Sequence, residues 1–276
     1  MIAFPNCKIN LGLHIVGKRA DGYHDLETAF YPVPLTDAIE IIPSKDKDGS
    51  GIMFTQSGAP IAGEADDNLC IKAYQLIKER FPELPAVRMH LHKEIPTGAG
   101  LGGGSADAAF VLQLLNKNFK LGITSEELKV MALTLGSDCP YFLLNKPALA
   151  FGRGEILKEI PIQLTGWQLL LINPGIRIST AEAFKGVRPD AASYSLEEIL
   201  LQPVNTWKGK LQNQFEETVF PQYPELEKIK ERLYQAGAVY ASMSGSGSTL
   251  YGLFSVDAKP PETLMKQQQF SKWYRL

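Results

Sequence analysis

The chain has 276 residues, 45% of them hydrophobic and 21% charged; that length favours two lobes over one core, and that composition excludes disorder. Its 28 Lys and Arg against 30 Asp and Glu leave a formal charge of −2, which excludes a global field drawing the protein to nucleic acid or anionic lipid. Any phosphate it binds must therefore be held locally. Lys8, Lys18, Arg19 and Asp21 interrupt the first residues, so no apolar run of about 20 residues forms there. Cys7, Cys70 and Cys139 match neither a disulfide framework nor a zinc spacing. The expectation is a cytoplasmic protein with reduced thiols, no membrane partner, no nucleic-acid partner and no metal site of its own.

Residues 8–15 alternate, with Ile9, Leu11, Leu13 and Ile15 on one parity and Lys8, Asn10, Gly12 and His14 on the other, which predicts a strand. Lys8 and Asn10 then share the face opposite the apolar one. Ala20, Asp21 and Gly22 signal a turn, and Tyr23 and His24 follow it. Residues 38–55 read as two strands around a polar turn at 44–51, and 66–81 as a helix with Leu69, Ala73, Leu76 and Ile77 at helical spacing. His90 and His92 alternate with Val87, Met89 and Leu91, the pattern of a strand more than of a metal pair.

The next stretch is Pro96, Thr97, Gly98, Ala99, Gly100, Leu101, Gly102, Gly103, Gly104, Ser105 and Ala106, a glycine loop between a strand and the helix that starts near Asp107. Glycines let backbone N–H groups turn toward one point, and a helix start adds a partial positive charge, so such a loop suits phosphate; a tight connection that binds nothing is the alternative. The spacing does not fit a dinucleotide fingerprint, because the loop lies near residue 100 and 116–120 is basic, and it lacks the lysine of a Walker loop. Thr124 and Glu127 predict a capping box for a further helix that stops at Gly136. Asp138 follows, before Pro140, either as an ordinary N-cap or as the group that orients an attacking hydroxyl.

The glycine-rich segment 151–155 is the expected seam, dividing the chain into 1–155 and 156–276. Beyond it come a strand at 167–172, capping boxes at Ser179 with Glu182 and Ser195 with Glu198, a helix at 224–237, and strands at 239–243 and 249–254. The last two strands flank a second glycine loop, 244–248, which read alone is a hairpin turn more often than a site.

Together these segments resemble the three motifs of the GHMP kinases: Pro5, Lys8, Asn10 and Leu11 for the N-terminal one, Pro96 to Ser105 for the glycine loop, and Ser244, Gly245 and Gly247 for the C-terminal one. The resemblance covers essentially the whole chain. It implies an α+β, two-lobed fold, with a ribosomal-protein-S5 domain-2-like ATP lobe (1–155) and a ferredoxin-like lobe on the substrate side (156–276). It also implies ATP and Mg²⁺ as cofactors, with residues 96–106 around the ATP phosphates, Asp138 as base and Lys8 as its cationic partner. The segments 19–24, 102–105 and 136–140 resemble the members that act on a cytidine diphosphate-linked methylerythritol. In those members the positions of Tyr23, His24, Thr180 and Phe184 surround the cytidine, and Asn10, Ser244 and Gly245 complete the substrate side. A monomer or weak homodimer is expected.

This sequence departs from the family pattern at Cys7, where alanine is usual, at Ser248, where proline is common, and at Gln214, where aspartate is usual. Gln214 therefore receives no expected role. Kinases of mevalonate, homoserine or a sugar share the ATP motifs and remain alternatives for the acceptor, as does a binding member without catalysis; an S5-like nucleic-acid module would need a basic patch.

Overall fold

The computed structural model describes residues 1–44, 51–61, 67–189 and 195–276. The strands are β1 (Ile2–Ala3), β2 (Asn6–Lys18), β3 (His24–Thr36), β4 (Ala38–Pro43), β5 (Ile52–Gly58), β6 (Val87–Lys93), β7 (Ala148–Phe151), β8 (Ile156–Glu159), β9 (Gln168–Asn173), β10 (Tyr240–Met243), β11 (Leu250–Phe254) and β12 (Phe270–Arg275). The helices are α1 (Leu69–Arg80), α2 (Gly103–Phe119), α3 (Ser125–Leu135), α4 (Cys139–Leu144), α5 (Thr180–Phe184), α6 (Leu196–Leu200), α7 (Phe215–Val219), α8 (Pro224–Gln235) and α9 (Glu262–Lys266). The chain forms two compact units, one of Met1–Cys7, Leu35–Thr97 and Gly102–Asn145, the other of Lys8–Pro34, Gly98–Leu101 and Lys146–Leu276.

In the first unit the sheet order is β1-β4-β6-β5, with β4 antiparallel and β5 parallel to β6. The two strands expected around the polar turn thus both form, yet each pairs with β6 and not with the other; residues 45–50 of that turn lie outside the described residues. Val87, Met89 and Leu91 face the helices and are buried with Ile39, Ile41, Ala73, Ile77, Leu112 and Leu115. The other parity faces outward, where His90 meets the hydroxyls of Thr55 and Ser57 at 2.8 and 2.9 Å and His92 meets Ser57 at 2.9 Å. The Asn68 side chain accepts from the Cys70 N–H at 2.9 Å, so α1 starts at Leu69; residue 66, its expected start, lies outside the described residues. Thr124 and Glu127 close the expected capping box on α3, and Gly136 caps its C-terminus.

In the second unit one sheet has the order β10-β11-β9-β12, every neighbouring pair antiparallel. Counted along the chain from β9 that order is 2-3-1-4, the ferredoxin-like arrangement. The apolar stripe of α8, Leu226, Ile229 and Leu233, is buried with Leu170, Ile172, Met243 and Phe254. Ser179 and Ser195 each accept an N–H three residues on, at 3.1 and 3.3 Å, while the Glu182 carboxylate accepts from the Tyr223 hydroxyl at 2.6 Å.

The other sheet has the order β2-β3-β7-β8. The segment 151–155 forms the turn of the β7–β8 hairpin, whose strands pair from Ala148 with Glu159 to Phe151 with Ile156 inside one compact unit, and the last division between the units falls at Asn145 and Lys146, within about ten residues of the expected boundary. Glycines there serve a tight reversal, Gly152 with φ of +67° and Gly154 with +108°. Strand β2 also differs from a half-buried strand, since residues 8–15 are buried on both parities.

Candidate active site

Lys8 and Asn10 lie on the same parity of β2 and are 4% and 2% exposed. A buried ammonium is tolerated only when solvated by protein groups. The Lys8 Nζ donates to Asn10 Oδ1 at 2.6 Å and stands 4.8 Å from the centre of the Phe30 ring. The Asn10 amide donates in turn to Thr28 Oγ1 at 2.9 Å, and the Tyr251 hydroxyl donates to the Asn10 carbonyl at 2.7 Å. A chain of hydrogen bonds therefore fixes the lysine.

The same unit draws in parts of both glycine loops. The Asn10 N–H donates to Ser244 Oγ at 3.2 Å, that hydroxyl donates to the Gly100 carbonyl at 2.8 Å, and the Lys8 N–H donates to the Leu101 carbonyl at 3.0 Å. Gly100 has φ of +77°, and a Cβ on it would fall on the Ser244 carbonyl oxygen. A Cβ on Gly245 would lie 3.2 Å from the Gly100 carbonyl oxygen and 3.4 Å from Asn10 Oδ1. These two glycines thus permit a close backbone approach. Asn213 secures it, donating to the carbonyls of Met243 and Gly245, each at 2.8 Å.

In the first unit α2 opens at Gly102, which has φ of +70°, with no side chain capping it and no acidic residue in its first turn. The first-turn N–H groups of a helix lack intrahelical acceptors, so this end is suited to an anion. A Cβ on Gly103 would lie 2.8 Å from Ile95 Cγ2, whereas one on the exposed Gly104 would meet only Leu69, at 3.8 Å. Packing thus demands Gly103 but leaves Gly104 open to solvent. Asp138 occupies the N-cap of α4, before Pro140, yet its side chain makes no cap hydrogen bond. Ordinary capping therefore does not explain the aspartate.

A substituent on Gly136 would reach Cys139 Sγ at 3.4 Å and Ser105 Oγ at 3.8 Å, so the turn carrying Asp138 packs beside Ser105. Burial pushes the Cys139 thiol up to about 12, against the hydrogen bond to Ser105, and a protonated thiol is a poor nucleophile or metal ligand. No cluster of three or more His, Cys, Asp and Glu able to hold a metal is found among the described residues.

The candidate nucleobase residues lie in the second unit. Tyr23 is 54% exposed, with the Arg153 guanidinium 4.9 Å from its ring centre. His24 and Phe184 stack on each other, ring centres 4.6 Å apart and planes 14° apart, and Phe184 meets Phe215 edge-on at 4.8 Å. No gap for a base exists between His24 and Phe184, so the exposed Tyr23 ring is the open face of the group. Thr180 is exposed on the first turn of α5, which Ser179 caps.

Thr28, Phe30, Arg153, Asn213 and Tyr251 emerge only from the structure. Asn213 had a signal, since it adjoins Gln214, where the sequence departs from the family pattern; the others are single residues on unremarked strands and turns. Gln214 also gains a role: its Oε1 accepts from the Ile15 N–H at 2.7 Å and its Nε2 donates to the Arg188 carbonyl at 2.9 Å. An aspartate could not make the second bond.

The family model "GHMP kinases N terminal domain" matches residues 68–146, and "GHMP kinases C terminal" matches 196–265. A protein of Bacteroides thetaiotaomicron named 4-diphosphocytidyl-2-C-methyl-D-erythritol kinase is 52% identical over 263 residues, 95% of this chain and 95% of that relative. One of the same name from Parabacteroides distasonis is 47% identical over 98% of this chain and 96% of the relative. The crystal structure of a 4-(cytidine 5'-diphospho)-2C-methyl-D-erythritol kinase superposes with a TM-score of 0.84 at 33% identity, covering 99% of this chain and 98% of that one. A mevalonate kinase of Methanococcus jannaschii reaches a TM-score of 0.72 at 14% identity over 99% and 96%, a likeness of fold alone.

Proposed function

Because the chain belongs to the GHMP kinase family and has its two-domain fold, we propose that it transfers the γ-phosphate of ATP to the 2-hydroxyl of 4-diphosphocytidyl-2-C-methyl-D-erythritol, a step of non-mevalonate isoprenoid precursor biosynthesis. The observation that carries this is the relatives' shared name at about half identity over nearly the full chain. The buried Lys8–Asn10 pair and the uncapped start of α2 support the chemistry.

In this mechanism the acceptor oxygen attacks the γ-phosphorus, the bond to the ADP oxygen breaks, and the hydroxyl proton passes to the Asp138 carboxylate. Lys8, held by Asn10 against Phe30, supplies a positive charge toward the reacting oxygens. The N–H groups at the start of α2 and the backbone of 96–106 take the ATP phosphates; the absence of any competing cap or acidic side chain in that first turn fits them for it. Ser105 assists there. Mg²⁺ usually keeps several waters and binds chiefly through substrate phosphates; the Ser105 hydroxyl at the start of α2 would hold it beside them, and it would neutralise charge on the transferring phosphoryl group. Tyr23 offers its free face to the cytosine, His24 reads a polar edge, and Thr180 and Phe184 complete that wall, while Ser244 and Gly245 close the acceptor side. The cytoplasm is the proposed setting, and a monomer or weak homodimer the proposed state.

A phosphorylation panel tests the assignment, with 4-diphosphocytidyl-2-C-methyl-D-erythritol, mevalonate and homoserine as acceptors and ³¹P spectroscopy to locate the new ester. Turnover is expected with the first, at its 2-oxygen. Equal or better turnover of mevalonate or homoserine would reassign the acceptor.

A further inference from the structure

Three buried charges border the glycine loop, and none has a part in the chemistry above. Lys93 ends β6 three residues before Pro96, Asp107 lies one residue after Ala106 within α2, and Asp37 joins β3 to β4. Their side chains are 3%, 3% and 0% exposed. The Lys93 ammonium bonds Asp37 Oδ2 and reaches Asp107 Oδ2 at 2.8 Å. Asp37 Oδ1 accepts the N–H groups of Glu94 at 2.6 Å and Ile95 at 2.9 Å, the residues that lead into the loop.

We propose that Asp37, Lys93 and Asp107 form a clasp that sets the separation of the loop's two ends, making Lys93 and Asp107 positioning residues for the ATP phosphates. This inference rests on the reading of 96–106 as the phosphate loop. Between the clasped ends, Gly98, Gly100 and Gly102 have φ of +65°, +77° and +70°, and glycine segments of this kind have the most conformational freedom to lose. Tying Lys93 to Asp107 shortens the span over which that freedom acts.

Stability alone is a weak explanation of the trio. Taking charges out of water is costly, and apolar groups of equal volume commonly serve a core as well or better. The trio is also incompletely satisfied, since Asp107 Oδ1 is buried without a hydrogen-bond partner among the described residues. Local geometry favours positioning. A Cβ on Gly103 would lie 3.3 Å from Lys93 Nζ and 2.8 Å from Ile95 Cγ2, so the ammonium sits directly beneath the helix start where only glycine packs without displacing its neighbours.

Burial pushes the Asp107 carboxyl up to about 7 against the pull of Lys93, with Asp37 adding to the rise, whereas Lys93 keeps its charge. Burial pulls the Lys93 ammonium down, but Asp107 and Asp37 outweigh it and its pKa ends raised, so it stays a cation. Burial holds the neighbouring Cys70 thiol well above its ordinary value, so it adds no competing charge.

The test is Asp107→Ala, which leaves Lys93 paired with Asp37 and puts a good helix former inside α2. The KM for ATP is expected to rise at least about tenfold while the KM for the alcohol acceptor moves less than about twofold, and Asp107→Asn, whose amide oxygen still accepts from Lys93, should restore the KM for ATP to within about threefold. An unchanged KM for ATP in Asp107→Ala, a chain that no longer folds, or an Asp107→Asn enzyme as impaired as Asp107→Ala would each overturn the positioning role. Amide shifts of residues 98–106 on adding ATP to the unaltered protein test the phosphate-loop reading separately. Shifts there combined with an unchanged KM in Asp107→Ala would sink the clasp alone, and their absence would sink both.

Discussion

The Ser244 hydroxyl donates to the Gly100 carbonyl at 2.8 Å, joining two glycine loops 144 residues apart in the chain. Glycine at position 100 is thereby accounted for by packing, because any side chain there would collide with the Ser244 carbonyl. Gly104 is different, being exposed and open.

These two glycines should separate stability from function. Gly104→Ala is expected to raise unfolding free energy by up to about 1 kcal/mol through helix propensity, while weakening ATP binding by placing a methyl group where the phosphates are proposed to approach. Gly100→Ala should cost more than about 1 kcal/mol from its positive φ alone. Denaturant melts and nucleotide titrations of both proteins check this; a Gly104→Ala protein with unaltered ATP affinity would remove that residue from the phosphate site.

Asp138→Asn should lower kcat at least about a hundredfold, as expected for loss of a positioned base, while ATP affinity changes less than about threefold. Because the carboxylate does not cap α4, the melting temperature should move little. Lys8→Met should also depress kcat. Undiminished turnover in the aspartate variant would exclude it as the base.

Phe184→Ala removes the surface on which His24 stacks. The KM for the cytidine-bearing acceptor is expected to rise about tenfold, the worth of one aromatic pair, with the KM for ATP unaffected. A matched rise in both constants would point to general unfolding of α5 instead.

The Arg80 guanidinium and the Thr124 N–H and hydroxyl hold Glu127 down to about 2, below its ordinary 4.5. A depressed folded-state value stabilises above the unfolded value, and that contribution is lost as pH falls toward about 2. Stability should therefore fall with decreasing pH between about 4.5 and 2, and Glu127→Gln should flatten that slope in acid titrations followed by circular dichroism. Identical slopes in the two proteins would remove Glu127 from the acid response.

Much of the candidate site's wall could be read from residue order. The alternation of 8–15 predicted that Lys8 and Asn10 share a face, and they hydrogen-bond to each other. The capping box at Thr124 and the proline-started helices formed because their signals act within a few residues. At 151–155 the glycines mark a reversal, and only partners far along the chain decided that this reversal joins two paired strands.

What the sequence determined by itself was thus the local grammar: the strand parity of Lys8, the helix starts at Ser125 and Cys139, the glycine loops, and the family resemblance carried by their order, whereas α2 begins at Gly103, four residues before its expected start. Only tertiary structure decided that the polar parity of β2 is buried, that Ser244 touches Gly100, that Gln214 braces Ile15, and that Lys93 and Asp107 close on each other around the loop they flank. The physical reason is range. Propensity and capping act over one or two turns of chain, whereas burial makes each polar group seek whatever partner the fold brings within about 3 Å.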